Sequence, residues 1–294
     1  MKKFKYSAEN QRQAWLFLLP ALVIIALFNI YPLIRALIMS FQTGTLTNLK
    51  PAGISNYQYV LQDPKFHIAM RNTAVYAFLV VPICLVLSMF IALLIFEKIK
   101  HKSFFETIFF IPYLTSVIAI GVVFRYLFNG SYGFINFLLS FINVGPINFL
   151  DDIMMSLPTL VIFGIWNGLA FNIIILLSGL RNIDREYYKV ADMFGATGMQ
   201  KLFRITLPQL IPTLTFLLTV NLINAFKVYT QVFAIFNGKA GIANSATTAV
   251  FYIFTTFHVD NRYGPAMAAT ILLFVFILIL TLIQNKVLKK IEER

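Results

Sequence analysis

Charge is scarce in this chain of 294 residues. Asp and Glu number 12, Lys and Arg 24, and together they make 12% of the sequence, against roughly 25% in ordinary soluble domains. Cysteine occurs once, at Cys84, so no disulfide framework can form within the chain. The three histidines, His67, His101 and His258, lie far apart and make no metal set with that one cysteine. A phosphate-cradling Gly-x-x-x-x-Gly-Lys-Ser/Thr string is missing. The nearest stretch, Gly195 to Lys201, has the wrong spacing and lacks the hydroxyl. There is no Gly-x-Ser-x-Gly elbow. Carboxylates inside apolar runs are nearly absent, with Glu106 at the edge of one. These absences argue against an enzyme, against a cofactor or metal in this chain, and against a proton relay of the kind pumps use.

What is present is apolar. Hydrophobic residues make 59% of the chain, with 31 Phe and 13 Tyr, and the mean hydropathy is +0.78. A water-soluble core of this size cannot hide so much apolar surface, so the class is integral membrane protein. The net charge of +12 does not point to nucleic acid, because the basic residues sit in short clusters between apolar runs. The N-terminus is basic (Lys2, Lys3, Lys5, Arg12) and turns apolar from Trp15. No small-residue cleavage site follows a short core, so an uncleaved first span is expected.

A spanning helix needs about 20 mostly apolar residues. Six stretches qualify: Trp15–Ile34, Thr73–Phe96, Phe105–Leu127, Leu157–Leu180, Leu210–Phe233 and Ala266–Ile283. They run continuously rather than alternating with period 2, which excludes outer-membrane strands. The expected fold class is an all-α membrane protein with six transmembrane helices in a single domain, 1–294. Basic residues set its orientation. The N-terminal tail holds four, the stretch 98–102 three, 181–204 five and the tail after Asn285 four, sixteen of the 24 on one side. Both termini are therefore expected in the cytoplasm of a multi-pass protein, with 1–14 a cytoplasmic tail. Arg35, Arg71 and Arg125 fit interfacial anchors, and Tyr126 and Tyr263 an aromatic belt.

One cytoplasmic stretch, 181–208, reads as more than a connector. Asp184 is a plausible N-cap and Glu186 suits a first turn, so a short helix is expected over Arg185–Phe194, ended by Gly195. Thr197 and Gln200 fit a capping box opening a second short helix through Arg204, which Pro208 is expected to stop. Tyr187, Val190, Ala191 and Phe194 fall on one apolar face. Such a face meets either a protein partner or the lipid surface, and spacing alone leaves both open.

This stretch resembles the cytoplasmic coupling loop of ABC-importer permeases, whose consensus runs Glu-Ala-Ala, three residues, Gly, then about nine residues to an Ile-x-Leu-Pro ending. The matching residues are Lys189, Val190 and Ala191, then Gly195, then Ile205 to Leu207 and Pro208. Further strings resemble the carbohydrate-importing, maltose-type branch. They include Phe17–Ala21 with Tyr31-Pro32, Asn56-Tyr57, Asp63-Pro64, Arg71–Thr73, Phe110–Tyr113, Leu127-Phe128 with Gly133 and Asn136, and Tyr263-Gly264 with Ala266. In the family a glutamate is usual where Lys189 stands, an alanine where Val190 stands, and an aspartate where Phe194 stands. The resemblance implies a prokaryotic plasma-membrane permease without enzymatic activity of its own. Its implied partners are a second homologous permease, two copies of a cytoplasmic ABC ATPase that hold ATP and Mg, and an extracytoplasmic solute-binding protein. The implied solute is a sugar or oligosaccharide; a polyol, glycerol phosphate or acidic sugar is the alternative, and a secondary carrier a more distant one.

Polar groups in mid-span are few. The fifth span carries Asn221, Asn224 and Lys227 at i, i+3 and i+6, roughly one face. The fourth carries Trp166, Asn167, Gly168, Phe171 and Asn172, and the third Tyr113 beside Pro112. The family resemblance implies sugar contacts at the positions of Tyr113, Gly168, Phe171, Asn221 and Asn224. Two readings of the amides stand side by side: a solute pathway, or hydrogen bonds between helices worth about 0.6 kcal/mol each. Lys227 is expensive near mid-membrane unless it faces water, a carboxylate or a carbonyl. It either snorkels to the outer boundary or meets an acidic solute.

Overall fold

A computed structural model of the protein describes residues 8–98 and 102–292. Lys2, Lys3, Lys5, Lys100, His101 and Arg294, which enter the metal and orientation readings, lie outside the described residues. In chain order the elements begin α1 Ala8–Ile25, α2 Tyr31–Ser40, β1 Gln42–Thr45, β2 Asn48–Pro51, α3 Ser55–Gln62 and α4 Pro64–Lys98. They continue α5 Lys102–Leu114, α6 Val117–Leu127, α7 Phe134–Ser140, α8 Ser156–Arg181, α9 Arg185–Met193 and α10 Gly198–Lys201. Last come α11 Leu207–Phe226, α12 Thr230–Ile235, α13 Ala249–His258 and α14 Tyr263–Glu292.

Among the described residues, five helices are long and apolar enough to cross a membrane: Gln11–Ser40, Pro64–Phe96, Ser156–Arg181, Gly198–Phe226 and Tyr263–Leu288. The count reaches six when the bent pair Thr107–Leu114 and Val117–Leu127 is taken as one span. Those two pieces meet at 102°, so the expected continuous rod Phe105–Leu127 is corrected to a broken span. The break has local causes. Pro112 gives no amide hydrogen and crowds the carbonyl four residues back. Ser116 is extended at φ −57°, ψ 127°, and Thr115 Oγ1 donates to the Ile111 carbonyl at 3.0 Å. Hydroxyl side chains thus take over carbonyls that a continuous helix would have served.

The expected fifth span, Leu210–Phe233, is corrected too. Helix α11 stops at Phe226 and Lys227 caps it, with φ −97° and ψ 12°. Helix α12 starts only at Thr230. At the other end, Pro208 does not stop the preceding helix. A π-turn at Leu202–Thr206, closed by the Leu207 N–H on the Leu202 carbonyl, absorbs the misfit of the ring, and one helix runs from Gly198 to Phe226. Pro32 is treated alike, by a π-turn at Ala26–Ile30 closed by the Tyr31 N–H on the Ala26 carbonyl. Pro208, expected as a helix end, and Pro32, expected within the first span, are both helix interiors, each preceded by the same wide turn.

The chain divides into two compact units. The first holds Met1–Asp63 with Ile253–Leu272. The stretch after α2 folds into an antiparallel hairpin pairing Gln42 with Pro51 and Thr45 with Asn48. Asn56, buried on α3, donates to the Ser40 and Gln42 carbonyls at 2.8 Å each and so ties the hairpin's root to α2 and α3. Gly264 lies so close to the Gln42 carbonyl and the Asn56 amide that a Cβ there would collide with both. The Arg262 guanidinium sits 5.2 Å from the Tyr59 ring centroid and its Nη1 donates to the Tyr59 hydroxyl.

The second unit holds Pro64–Tyr252 with Leu273–Arg294. Helices α4 and α8 pack side by side at its centre, and α6, α11 and α12 pack around them. Lipid is as apolar as leucine, so helices in it associate through close approach at small residues rather than by hiding from water. Gly164 of α8 admits the Tyr76 ring of α4, Gly179 of α8 admits Leu210 and Thr213 of α11, and Gly121 of α6 meets Ala234 of α12. Two apolar clusters result. One surrounds Phe124, Phe163 and Phe226; the other surrounds Ile95, Leu176 and Leu210. Asn72 and Thr73 at the start of α4 bind the segment 245–249, with the Asn72 amide on the Ser245 and Thr247 carbonyls and the Ala249 N–H on Thr73 Oγ1.

Candidate functional site

Both breaks in the helices open onto one place. A cavity of about 530 Å³ lies within the second unit, walled by α4 (Tyr76, Val80, Val81, Cys84), the α5–α6 break (Tyr113, Thr115, Val117) and α8 (Gly164, Asn167, Gly168, Phe171). Helix α11 adds Val220, Asn221, Asn224 and Ala225, and the α11–α12 break adds Lys227, Thr230 and Gln231. All six residues singled out from sequence, Tyr113, Gly168, Phe171, Asn221, Asn224 and Lys227, line this cavity together.

Their roles in its shape differ. Tyr113 and Phe171 stack with ring centroids 5.7 Å apart and planes 25° apart, and Phe110 continues the stack on the far side of Tyr113 at 6.0 Å. Gly168 keeps the wall thin: a Cβ there would come within 2.9 Å of Cys84 Sγ. Asn221 and Asn224, three residues apart on α11, fall on the same helix face and both line the cavity. The Asn221 Nδ2 donates to Asn172 Oδ1 at 2.9 Å, and Asn172 Nδ2 meets Cys84 Sγ at 3.2 Å. Asn172 is wholly buried and does not line the cavity, and neither does Trp166, which packs on Phe124 at 5.0 Å. Thr115, Thr230 and Gln231 were missed from sequence because they sit in or beside breaks that an unbroken hydropathy run conceals.

The segment after α8 forms a second candidate. Asp184 caps α9, accepting from the Glu186 N–H at 2.9 Å, and Phe194 closes the helix. Gly195 is left-handed at φ +68° with nothing within 4 Å of an added Cβ, so conformation rather than space selects glycine there. The capping box forms as expected, with the Thr197 N–H on Gln200 Oε1 at 2.8 Å and the Gln200 N–H on Thr197 Oγ1 at 3.3 Å. Lys201 pairs with Asp192 across the glycine turn. Tyr188 turns inward, its hydroxyl 2.9 Å from Thr206 Oγ1. Outward, Tyr187, Val190 and Phe194 are exposed, Phe194 to 86%, and Met193, missed from sequence, equals it. Ala191 and Leu207 are half-buried, while Lys189 and Pro208 are exposed.

A set of apolar spans that breaks twice around an amide- and aromatic-lined cavity is the build of a membrane transport protein. The chain belongs to the binding-protein-dependent transport system inner membrane component family, whose sequence model matches residues 73–293. It is similar to the arabinooligosaccharides transport system permease protein AraP of Bacillus subtilis (strain 168), 30% identical over 274 residues that make 92% of this chain and 87% of that one. It is also similar to the trehalose/maltose transport system permease protein MalF of Thermococcus litoralis, 29% identical over 97% of this chain and 96% of that one. A crystal structure of a bacterial alginate ABC transporter in complex with an alginate pentasaccharide-bound periplasmic protein contains a chain of the same fold, with a TM-score of 0.86 at 23% identity, covering 99% of each chain. The protein is thus a multi-pass permease.

Proposed function

We propose that this chain is one permease of a pair in an ATP-driven importer for a sugar or oligosaccharide, handed over by an extracytoplasmic binding protein. The observation that carries the solute reading is the cavity lining, in which the stacked Tyr113 and Phe171 occur together with Asn221 and Asn224. Sugars present apolar C–H faces that lie against aromatic rings, and hydroxyls that trade hydrogen bonds with amides. The named solutes of the two relatives agree with this chemistry.

In this reading the α9 segment faces the cytoplasm and docks on an ABC ATPase through Met193, Phe194, Val190 and Tyr187. The partner ATPases hold ATP and Mg; this chain supplies the mechanical link. Nucleotide-driven closure moves α9, and the continuous helix Gly198–Phe226 carries that movement from the glycine turn to Asn221 and Asn224 on the cavity wall. One rigid rod then joins the two sites, and it has two positions biased by nucleotide.

The test is purification of the chain together with the products of its neighbouring genes. A cytoplasmic ATPase that co-elutes, and whose hydrolysis rises when sugar-loaded binding protein is added, supports the reading. A chain that purifies without an ATPase and binds none overturns it.

A further inference from the structure

Among the described residues, Lys227 is the only charged side chain in the cavity wall. Every other polar group there is an amide, a hydroxyl or a thiol. No Asp or Glu occurs in 64–96, α6, α8, α11 or α12, and Lys227 has no ion pair within the described residues. Its place is fixed on both sides, since Phe226 is fully buried, Val228 nearly so, and the Lys227 N–H is held by the Ala225 and Asn224 carbonyls. Lys227 is exposed and lines the cavity, so its ammonium is open to an anion that enters, and a charge-assisted hydrogen bond to such an anion is stronger than one to a neutral group.

We propose that the cavity takes an anionic solute: a saccharide bearing a carboxylate or a phosphate, whose oxygens meet the Lys227 ammonium. Asn224, Thr230 and Gln231 stand beside Lys227 in the same wall and offer further donors to those oxygens. A lysine suits this role as a point charge that accepts either anion, without the fixed fork of arginine. The inference rests on the permease reading above and narrows its solute class.

The test uses the complete transporter, with its second permease, ATPases and binding protein, in liposomes. Three labelled probes share one oligosaccharide: the neutral chain, the chain ending in a uronate, and the chain bearing a phosphate. ATP-driven accumulation is compared for the unmodified protein, Lys227→Gln and Lys227→Arg, each confirmed to hold all subunits. The expected result is a charged probe accumulated about tenfold faster than the neutral one, the size of one charge-assisted hydrogen bond. Lys227→Gln brings that ratio close to one and Lys227→Arg restores most of it. The binding protein is common to all three, so the change belongs to this chain. Whichever charged probe is preferred distinguishes carboxylate from phosphate. Equal accumulation of neutral and charged probes by the unmodified protein overturns the proposal, as does a Lys227→Gln effect of equal size on both, the pattern of a lysine that serves a carboxylate on the second permease. Accumulation of the neutral probe alone overturns this proposal and leaves the permease reading standing; accumulation of none overturns both.

Discussion

Asn221, on the cavity wall, donates its Nδ2 to the Oδ1 of the wholly buried Asn172, 2.9 Å away on the neighbouring helix. That bond leaves the Asn221 carbonyl oxygen as the acceptor offered to the cavity. Asn172 is fixed in turn by Cys84 Sγ on a third helix. The two amides therefore act in series, one behind the other.

Replacing Asn172 by leucine frees the Asn221 amide to turn and leaves its donor unpaired, a cost of roughly 1–3 kcal/mol when such a group is buried. The expected outcome is a lower melting temperature of the purified transporter and an uptake KM raised several-fold, with a smaller effect on the maximal rate. A purely structural role would lower the maximal rate and stability together and leave KM in place.

Gly168 is the thin point of the wall. Gly168→Leu fills the space before Cys84 and is expected to abolish uptake while the permease still assembles with its ATPase, as judged by subunit co-elution. Gly164→Ala drives a methyl group into the Tyr76 ring and is expected to destabilise the protein by about 1–3 kcal/mol, read in a thermal melt.

At Gly195 the requirement is the left-handed backbone, since an added Cβ meets nothing. Gly195→Val is expected to cost about 1–2 kcal/mol locally and to uncouple ATP hydrolysis from solute, while Gly195→Asn, which tolerates that conformation, keeps most coupling. Solute-stimulated ATPase activity measures both. Equal loss in the two variants would mean that the side-chain space matters instead.

Phe194 and Met193 are the most exposed apolar side chains of the α9 segment. Well-packed aromatic anchors at interfaces contribute about 2 kcal/mol or more. Phe194→Ser is therefore expected to weaken ATPase association at least tenfold in a titration of purified components, with the fold unchanged by circular dichroism. Lys201→Ala, which removes only the exposed pair with Asp192, is expected to change it by less than about twofold.

Much of this architecture was legible from residue spacing. The second, fourth and sixth spans fall where hydropathy puts them, extended by up to nine residues at an end, and Asp184, Gly195 and the Thr197–Gln200 box punctuate the segment 181–208 as expected. The i, i+3 spacing of Asn221 and Asn224 placed both amides on the cavity. Hydropathy, however, reports what lipid tolerates and says nothing of continuity. The breaks at Thr115-Ser116 and Lys227–Tyr229 are flanked by apolar residues, so the sums run straight across them. Pro208 misled in the opposite sense, because a π-turn lets a helix pass a proline that a regular α-helix could not. The hairpin Gln42–Pro51 was hidden because its strands carry no alternating apolar pattern, its pairing being fixed by backbone and by Asn56. That Asn172 lies behind Asn221 follows from which face of α8 meets α4, which spacing alone does not report.

The driving force for uptake tests the central claim most directly. The permease pair, its ATPases and the binding protein are reconstituted in sealed liposomes and labelled sugar is followed inward, with ATP supplied on the ATPase side or with a proton or sodium gradient instead. The account predicts accumulation that requires ATP, the ATPase and the binding protein together, and none from either gradient. Accumulation by this chain in liposomes lacking the ATPase, driven by an ion gradient, would contradict it.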